Sequence, residues 1–241
     1  GYHAKQIKVS NRTKHCIFEY IYFSRPDSKI FGHSVDKMRR SFGKKLAQEA
    51  PCESGDIVIS VPDSSNTCAL GFSGESNIRN EIGLIRNHYV GRTFIFPSQR
   101  LRDVSVRLKF NTVEGVVKEK EVVIIDDSIV RGTTLKKLAK LIKESGAKKV
   151  HVRISSPPVR FPCFYGMDFP TKDELVAGNR QVEEVQKIIN VDSLGYLSLD
   201  GTIDSTSNDD KSFCTACFSG EYPIKMKDKN DQEISITSSC S

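Results

Sequence analysis

The sequence predicts an α/β fold with a largely parallel central sheet, on three observations. Val122 to Ile125 (VVII) is an uninterrupted apolar run with charges on both sides, the pattern of a strand covered on both faces. Leu135, Leu138, Leu141 and Ile142 then recur at helical spacing opposite Lys136, Lys137, Lys140 and Lys143, and Gly146 stands where the helix should end. Val150 to Ile154 follows as a further strand, so strand, helix and strand fall within one βαβ length.

The other elements follow in order. Cys16 to Phe23 (CIFEYIYF) is rich in β-branched and aromatic residues and predicts a strand, stopped by Arg25-Pro26-Asp27-Ser28. Ser34 caps a helix that runs to Glu49, in which Val35, Met38, Phe42 and Leu46 repeat every three or four residues with cations between them; it ends before Pro51. Asp56 to Pro62 (DIVISVP) is a short buried strand, and the turn Asp63-Ser64-Ser65-Asn66 leads into another helix. Asp204 to Lys211 (DSTSNDDK) reads as a surface linker and Lys225 to Ser241 as a frayed polar tail. Residues 1–203 are thus expected to form one domain, 204–223 a linker and cysteine segment packed on it, and 224–241 a tail.

Composition narrows the function classes. The 241 residues are 38% hydrophobic and 27% charged, with 16 Gly and 9 Pro, which excludes collagen-like and wholly disordered chains. No uncharged apolar stretch approaches the roughly 20 residues needed to span a bilayer, and the first thirty residues lack a signal peptide's apolar middle. Residue 1 is Gly rather than Met, so an excised or processed piece is expected. The net charge of +6 is concentrated between Arg79 and Phe110, where Arg79, Arg86, Arg92, Arg100, Arg102, Arg107 and Lys109 face only Glu81 and Asp103. That stretch reads as a solvated basic face or as a loop closing over a polyphosphate. Nucleic acid ranks last, because aromatic interleaving is thin.

Seven cysteines, an odd number without a secretory signal, argue against a disulfide framework and for a cytoplasmic setting. Buried thiols or metal ligands remain. Cys214-Thr215-Ala216-Cys217 is a two-spacer pair suited to one metal or one cluster, but by itself it does not separate a redox motif, a zinc knuckle and an iron–sulfur site. Cys52 and Cys68 read as core and Cys240 as an exposed tail residue.

The string from Val122 to Thr134 (VVIIDDSIVRGTT) carries the chemistry. A buried strand delivers Asp126 and Asp127 to its carboxyl end, where open α/β sheets place their ligands. The loop Ser128-Ile129-Val130-Arg131-Gly132-Thr133-Thr134 turns into the amphipathic helix, whose amides and positive dipole end converge on a phosphate site. Gly132 permits close backbone approach, and Ser128, Thr133 and Thr134 add hydroxyl donors. Paired carboxylates beside that cradle suit sugar hydroxyls or hydrated Mg²⁺. The plainer reading, a turn in which Asp127 and Ser128 merely cap, does not explain two adjacent acids at the end of a buried strand.

This string resembles the phosphoribosylpyrophosphate (PRPP) signature of type I phosphoribosyltransferases. FEYIYFSRPDS (Phe18 to Ser28), VPDSS (Val61 to Ser65), YVGRTFI (Tyr89 to Ile95), VRISSPPVRFPCFYG (Val152 to Gly166), DSLGYLSLDG (Asp192 to Gly201) and FCTACFSGEYP (Phe213 to Pro223) resemble the amidophosphoribosyltransferase family, synthase half only. The resemblance implies that ammonia displaces pyrophosphate from PRPP to give phosphoribosylamine, the first step of purine biosynthesis. It implies that Ser128 to Thr134 holds the 5-phosphate, that Asp126 and Asp127 face the ribose hydroxyls and Mg²⁺, and that Ser64 contributes at the metal. The basic region from Arg86 to Lys109 becomes a mobile flap, with Arg92 and Lys109 on pyrophosphate, Arg86 on phosphate, and Tyr89 and Ile95 forming an ammonia passage.

The same resemblance maps a [4Fe–4S] cluster onto Cys16, Cys163, Cys214 and Cys217, with structural Zn²⁺ on the same residues as the alternative. It implies a homo-oligomer and a glutaminase domain or subunit, whose N-terminal catalytic Cys has no counterpart here. Asn111-Thr112 stands where Asn-Pro is expected and predicts a looser flap hinge, and Arg86 stands where Lys is frequent. Two other functions stay open: a PRPP-binding regulatory module without catalysis, and a salvage enzyme using a purine base.

Overall fold

The computed structural model describes residues 13–87, 109–206 and 213–224. Its elements, in chain order, begin with β1 (His15–Cys16), a π-helical turn (Glu19–Phe23), β2 (Lys29–Ile30), β3 (His33–Ser34) and α1 (Val35–Glu49). There follow β4 (Ile57–Ser60), α2 (Asn66–Ser76), β5 (Leu84–Arg86), β6 (Phe110–Thr112), α3 (Glu114–Val117), β7 (Glu121–Asp126), α4 (Thr133–Glu144) and β8 (Lys149–Ile154). The last are α5 (Val182–Ile189), β9 (Ser193–Tyr196), α6 (Leu199–Asp204), β10 (Phe213–Cys214) and α7 (Ala216–Ser219). No described helix is long and apolar enough to cross a membrane.

Four strands form the central sheet in the order β4-β7-β8-β9, all parallel. Successive side chains of β7 alternate between its two faces. Val123 and Ile125, with Val58 of β4, pack under Val35, Phe42 and Leu46 of α1 and Phe72 of α2. Val122 and Ile124, with Ile57 and Ile59, pack under Leu138 and Ile142 of α4 and Val185 and Ile189 of α5. Every residue of the Val122 to Ile125 run is therefore buried, as its continuous apolarity requires. The register Ile57↔Val122 and Val122↔Val150 brings the carboxyl ends of β4, β7 and β8 to one rim.

Helix α1 begins at its Ser34 cap, whose side chain accepts from the Lys37 amide, and α4 ends with Gly146 at φ +91°. The contact between α1 and α2 is set by two glycines. A Cβ on Gly43 would collide with the carbonyl oxygen of Cys68 and lie 2.8 Å from the Phe72 nitrogen; one on Gly71 would collide with the carbonyl of Arg40.

Two expectations are corrected. The segment from Cys16 to Phe23 is a strand only at His15–Cys16, where it pairs in parallel with Phe213–Cys214. It then closes into the π-helical turn, with the Ser24 amide donating to the carbonyl of Glu19. The reason is the buried Arg39, whose guanidinium takes the carbonyls of Tyr20, Tyr22 and Ser24. At about 3.3 Å of rise per residue, a strand would spread those carbonyls over roughly 13 Å, beyond one guanidinium. The linker expected from Asp204 also fails at its start. Asp204 ends α6, while Ser205 and Thr206 are buried because their hydroxyls donate to the carbonyls of Gly201 and Ile203, each at 2.7 Å. Residues 207–212 and the expected tail at 225–241 lie outside the described residues.

The helix contact yields a prediction. Gly43→Ala should destabilise the protein by about 3 kcal/mol in chemical denaturation, because backbone rather than a flexible side chain meets the new methyl. Gly74→Ala, on α2 with nothing within 4 Å of its Cβ, should instead stabilise by about 0.5–1 kcal/mol.

Candidate functional site

At the rim between β4 and β7 opens a cavity of about 430 Å³. Its lining includes Ser64, Arg86, Lys109, Asp126, Asp127 and the whole loop from Ser128 to Thr134. Every site residue expected around the phosphate and metal that lies within the described residues is thus brought to one pocket. Tyr89, Arg92 and Ile95 lie outside the described residues.

The loop end of the pocket is built by backbone. Gly132 precedes α4 at φ +74°, a left-handed conformation, and a Cβ there would press on Ile189 and Val176 at 3.3 and 3.4 Å. The amides of Gly132, Thr133 and Thr134 meet no protein acceptor among the described residues. Three unused donors at the positive end of a twelve-residue helix form an anion site. Arg131, at the edge of the loop, pairs with Glu174 at 2.9 Å.

The opposite wall is acidic. Asp126 ends β7 half-buried; Asp127 is 6% exposed. Ser65 donates to Asp126 Oδ1 at 3.2 Å, as does the Asp127 amide at 2.9 Å. Ser64 donates to Asp127 Oδ2 at 2.5 Å and Ser128 to Oδ1 at 2.6 Å. Burial pushes the Asp126 carboxyl well above the usual carboxylate range, and the neighbouring charge of Asp127 pushes it further. Burial likewise raises Asp127, opposed by the hydroxyls of Ser128 and Ser64 and by the charge of Arg39. The pair is an electrostatic load that a cation would relieve.

Two cations stand at the mouth. β5 and β6 pair antiparallel with Arg86 opposite Phe110, and the Asn87 amide donates to the Lys109 carbonyl at 2.8 Å. The ladder runs on through Thr112, paired with Leu84, and the Thr112 hydroxyl meets that of Ser145. Position 112, expected to loosen a hinge, is therefore held at both backbone and side chain. Burial and the charge of Arg86 pull the Lys109 ammonium below the usual lysine range. Arg86 pairs with Asp63 at 3.0 Å, both partners being largely exposed.

The four cysteines gather elsewhere. β1 and β10 set Cys16 opposite Cys214, and Cys217 feels the charges of Cys16, Cys214 and Cys163. The carbonyl of Cys217 accepts from the amides of Arg160 and Phe161 at 2.9 and 3.1 Å, while the Tyr165 amide lies 3.5 Å from Cys163 Sγ. Burial raises Cys16, Cys214 and Cys217 above the usual thiol range. Among the described residues no three His, Cys, Asp or Glu side chains form a group able to hold a single metal ion. Cys52 and Cys68 are buried, as expected, with Cys68 pushed up to about 12 by burial; Cys240 lies outside the described residues.

Some pocket residues were missed by sequence reasoning. Tyr22 and Asp63 line the cavity, and Ser65 supports Asp126. Only the polar turn after β4 signalled the last two.

Residues 41–155 match the phosphoribosyl transferase domain family. The chain is 52% identical over 212 residues to amidophosphoribosyltransferase 1, chloroplastic, of Arabidopsis thaliana, covering 88% of this chain and 37% of that protein. The amidophosphoribosyltransferase of Bacillus subtilis (strain 168) is 47% identical over 230 residues, covering 94% and 48%. Among solved structures, glutamine PRPP amidotransferase from B. subtilis, complexed with ADP and GMP, aligns with a TM-score of 0.82 at 47% identity. That alignment covers 91% of this chain and 49% of the other. The chain holds a type I phosphoribosyltransferase domain, homologous to part of the amidophosphoribosyltransferases. It spans less than half the length of the curated relatives quoted above.

The phosphoribosyltransferase domain's acid pair makes a stability prediction. Both carboxyls have raised folded-state pKa values, so folding favours the protonated form, and stability falls as pH rises from the unfolded value of about 3.9 through the folded one. Asp126→Asn keeps an Oδ1 acceptor for Ser65 and the Asp127 amide while removing a charge. It should raise the stability of ligand-free protein at pH 7 by about 1 kcal/mol, read as a higher thermal midpoint, with the gain vanishing near pH 3.

Proposed function

We propose that this domain is the synthase part of an amidophosphoribosyltransferase, converting PRPP and ammonia to 5-phosphoribosylamine and pyrophosphate. The observation that carries the reading is the single cavity in which three free amides at the start of α4 face a carboxylate pair and two cations. The similarity to amidophosphoribosyltransferases at about 50% identity supports this choice among phosphoribosyl donors and acceptors.

In this reading the amides of Gly132 to Thr134, with the hydroxyls of Ser128, Thr133 and Thr134, bind the 5-phosphate, while Ile129, Val130 and Arg131 shape the loop. Asp126 and Asp127 accept from the ribose hydroxyls. Mg²⁺ suits the same wall, since it is commonly held by one or two carboxylates plus substrate phosphates, and the raised carboxyls there call for a cation. Asp126, Asp127 and Ser64 would hold it; when bound, it supplies charge neutralisation for the departing pyrophosphate. Arg86 and Lys109, with Arg92, contact the pyrophosphate, and its negative charge offsets the burial and the Arg86 repulsion that lower Lys109. The nitrogen of ammonia forms the new bond to C1 as the C1–oxygen bond breaks and its electron pair leaves on pyrophosphate; the proton shed by the resulting C1-bound ammonium passes to the departing pyrophosphate or to water. Unprotonated ammonia is already a nucleophile, so no general base is needed to activate it. Closure of the region bearing Tyr89 and Ile95 would exclude water and pass ammonia.

The thiols of Cys16, Cys163, Cys214 and Cys217 fit a [4Fe–4S] cluster in chemistry and in mutual proximity. Structural zinc on the same four thiols is the second reading. A cluster would be structural or oxygen-sensing, since the transfer moves no electrons. A glutaminase domain or subunit would supply ammonia, and a homo-oligomer in the cytoplasm is proposed. Free thiols at the six described cysteines fit a reducing compartment, while several plant relatives are named as chloroplastic.

Anaerobically isolated protein should release pyrophosphate from PRPP with ammonium salt and Mg²⁺, and Asp127→Ala should lower that rate by at least about a hundredfold. PRPP binding without turnover would replace the enzyme by a regulatory module. Independently, the protein should carry about four iron and four sulfide per chain, lost together in Cys217→Ser; stoichiometric zinc in a colourless sample would reverse the metal assignment.

A further inference from the structure

Arg39 lies on the inward face of α1 at 2% exposure, next to Met38 and one turn before Phe42. Among the described residues it forms no ion pair with a carboxylate. Its guanidinium donates from Nε to the carbonyl of Tyr20 at 2.8 Å and from Nη2 to those of Tyr22 and Ser24 at 2.8 and 2.7 Å. Nη1 reaches the carbonyl of Ser64 at 3.5 Å. Four acceptors from two segments 40 or more positions apart along the chain thus share one cation. Neutral donors could satisfy these carbonyls; a buried guanidinium is an expensive way to do so unless its charge has a use. The charge has a target, because Arg39 and Asp127 attract each other, and Asp127 is the acceptor of the Ser64 hydroxyl.

We propose that Arg39 is a positioning residue for the metal side of the pocket, acting through Ser64 and Asp127 without touching the ligand. It does not line the cavity. By pinning the Ser64 carbonyl against the turn at 20–24, it fixes the hydroxyl that holds Asp127 Oδ2. This inference rests on the PRPP reading above.

The test is a double-mutant cycle read by calorimetric binding of Mg²⁺·PRPP to the full chain, with iron content and thermal midpoint recorded for each variant. Arg39→Gln should weaken binding about thirtyfold, and Arg39→Lys, which restores charge but not the planar fork, should recover part of that to about fivefold. In a Ser64→Ala background the Arg39→Gln loss should shrink to about fivefold or less, because both changes act on one hydroxyl. An equal loss in both backgrounds, or unchanged affinity in a folded Arg39→Gln protein, would overturn the proposal. Should the Arg39 variants not fold, hydrogen exchange on the wild type decides: adding Mg²⁺·PRPP should protect the amides of 20–24 and 64–65 together. Protection confined to 126–134 refutes the coupling. A wild type that binds no PRPP sinks the functional reading and this inference with it, whereas a binding wild type with an additive cycle sinks this inference alone.

Discussion

Two adjacent carboxylates at the end of a buried strand are the constraint around which this domain is arranged. β7 must be apolar on both faces to sit mid-sheet, so whatever follows Ile125 emerges at the rim with little water around it. Placing Asp126 and Asp127 there raises both carboxyls, a cost that local hydrogen bonding reduces without cancelling. Ser64 and Ser65 reach across from the turn after β4, and Ser128 closes from the next residue. The serine turn, the rim of β4 and the start of α4 are therefore tied together by the need to solvate one pair of acids. Raised carboxyls on one wall and unused amides on the other are suited to a cation and an anion respectively.

The legible parts of the chain are those in which structure follows from neighbours in sequence. The Val122 to Ile125 run, the lysine-backed α4 and the capped α1 each declare themselves within a dozen residues, and the loop from Ser128 to Thr134 is contiguous, so its turn into the helix could be read directly. Asp63 is marked only by the polar turn after β4; Tyr22 enters the same pocket through tertiary contact, and no local pattern marks it. The segment from Cys16 to Phe23 was misread for the same reason. Its aromatic and β-branched content favours a strand, but the decisive partner is a side chain 15 to 19 residues further on. Arg39 itself hid among the cations of an amphipathic helix, one position from the apolar stripe. Burial of an arginine depends on acceptors that only the folded chain assembles.

The cysteine cluster and the pocket are separate in space but share a scaffold. The core under α1 and α2 contains Ile17, Phe18, Tyr20 and Ile21 from the N-terminal segment together with Phe213 and Phe218 from the C-terminal one. Phe18 packs edge-on to Phe169 and tilted against Phe218, which joins the turn to the segments carrying Cys163 and Cys217. The first and last described segments are thus folded onto the face of the sheet opposite α4.

That arrangement places the thiol-bearing segments and the pocket on one scaffold. Cys16 lies three residues before the π-helical turn, and the carbonyls of that turn are gathered by Arg39, whose remaining nitrogen reaches Ser64. Each link is a short covalent or hydrogen-bonded step, and Ser64 ends the series on Asp127. A group shared by Cys16, Cys163, Cys214 and Cys217 would fix the start of the turn, and a fixed turn would hold the guanidinium in register with the serine loop. Without such a group β1 and β10 would rely on a pairing of only two residues on each strand, too short to persist on backbone bonds alone. Any coupling between the thiols and the pocket would thus have a route along one face of the fold, through main-chain oxygens.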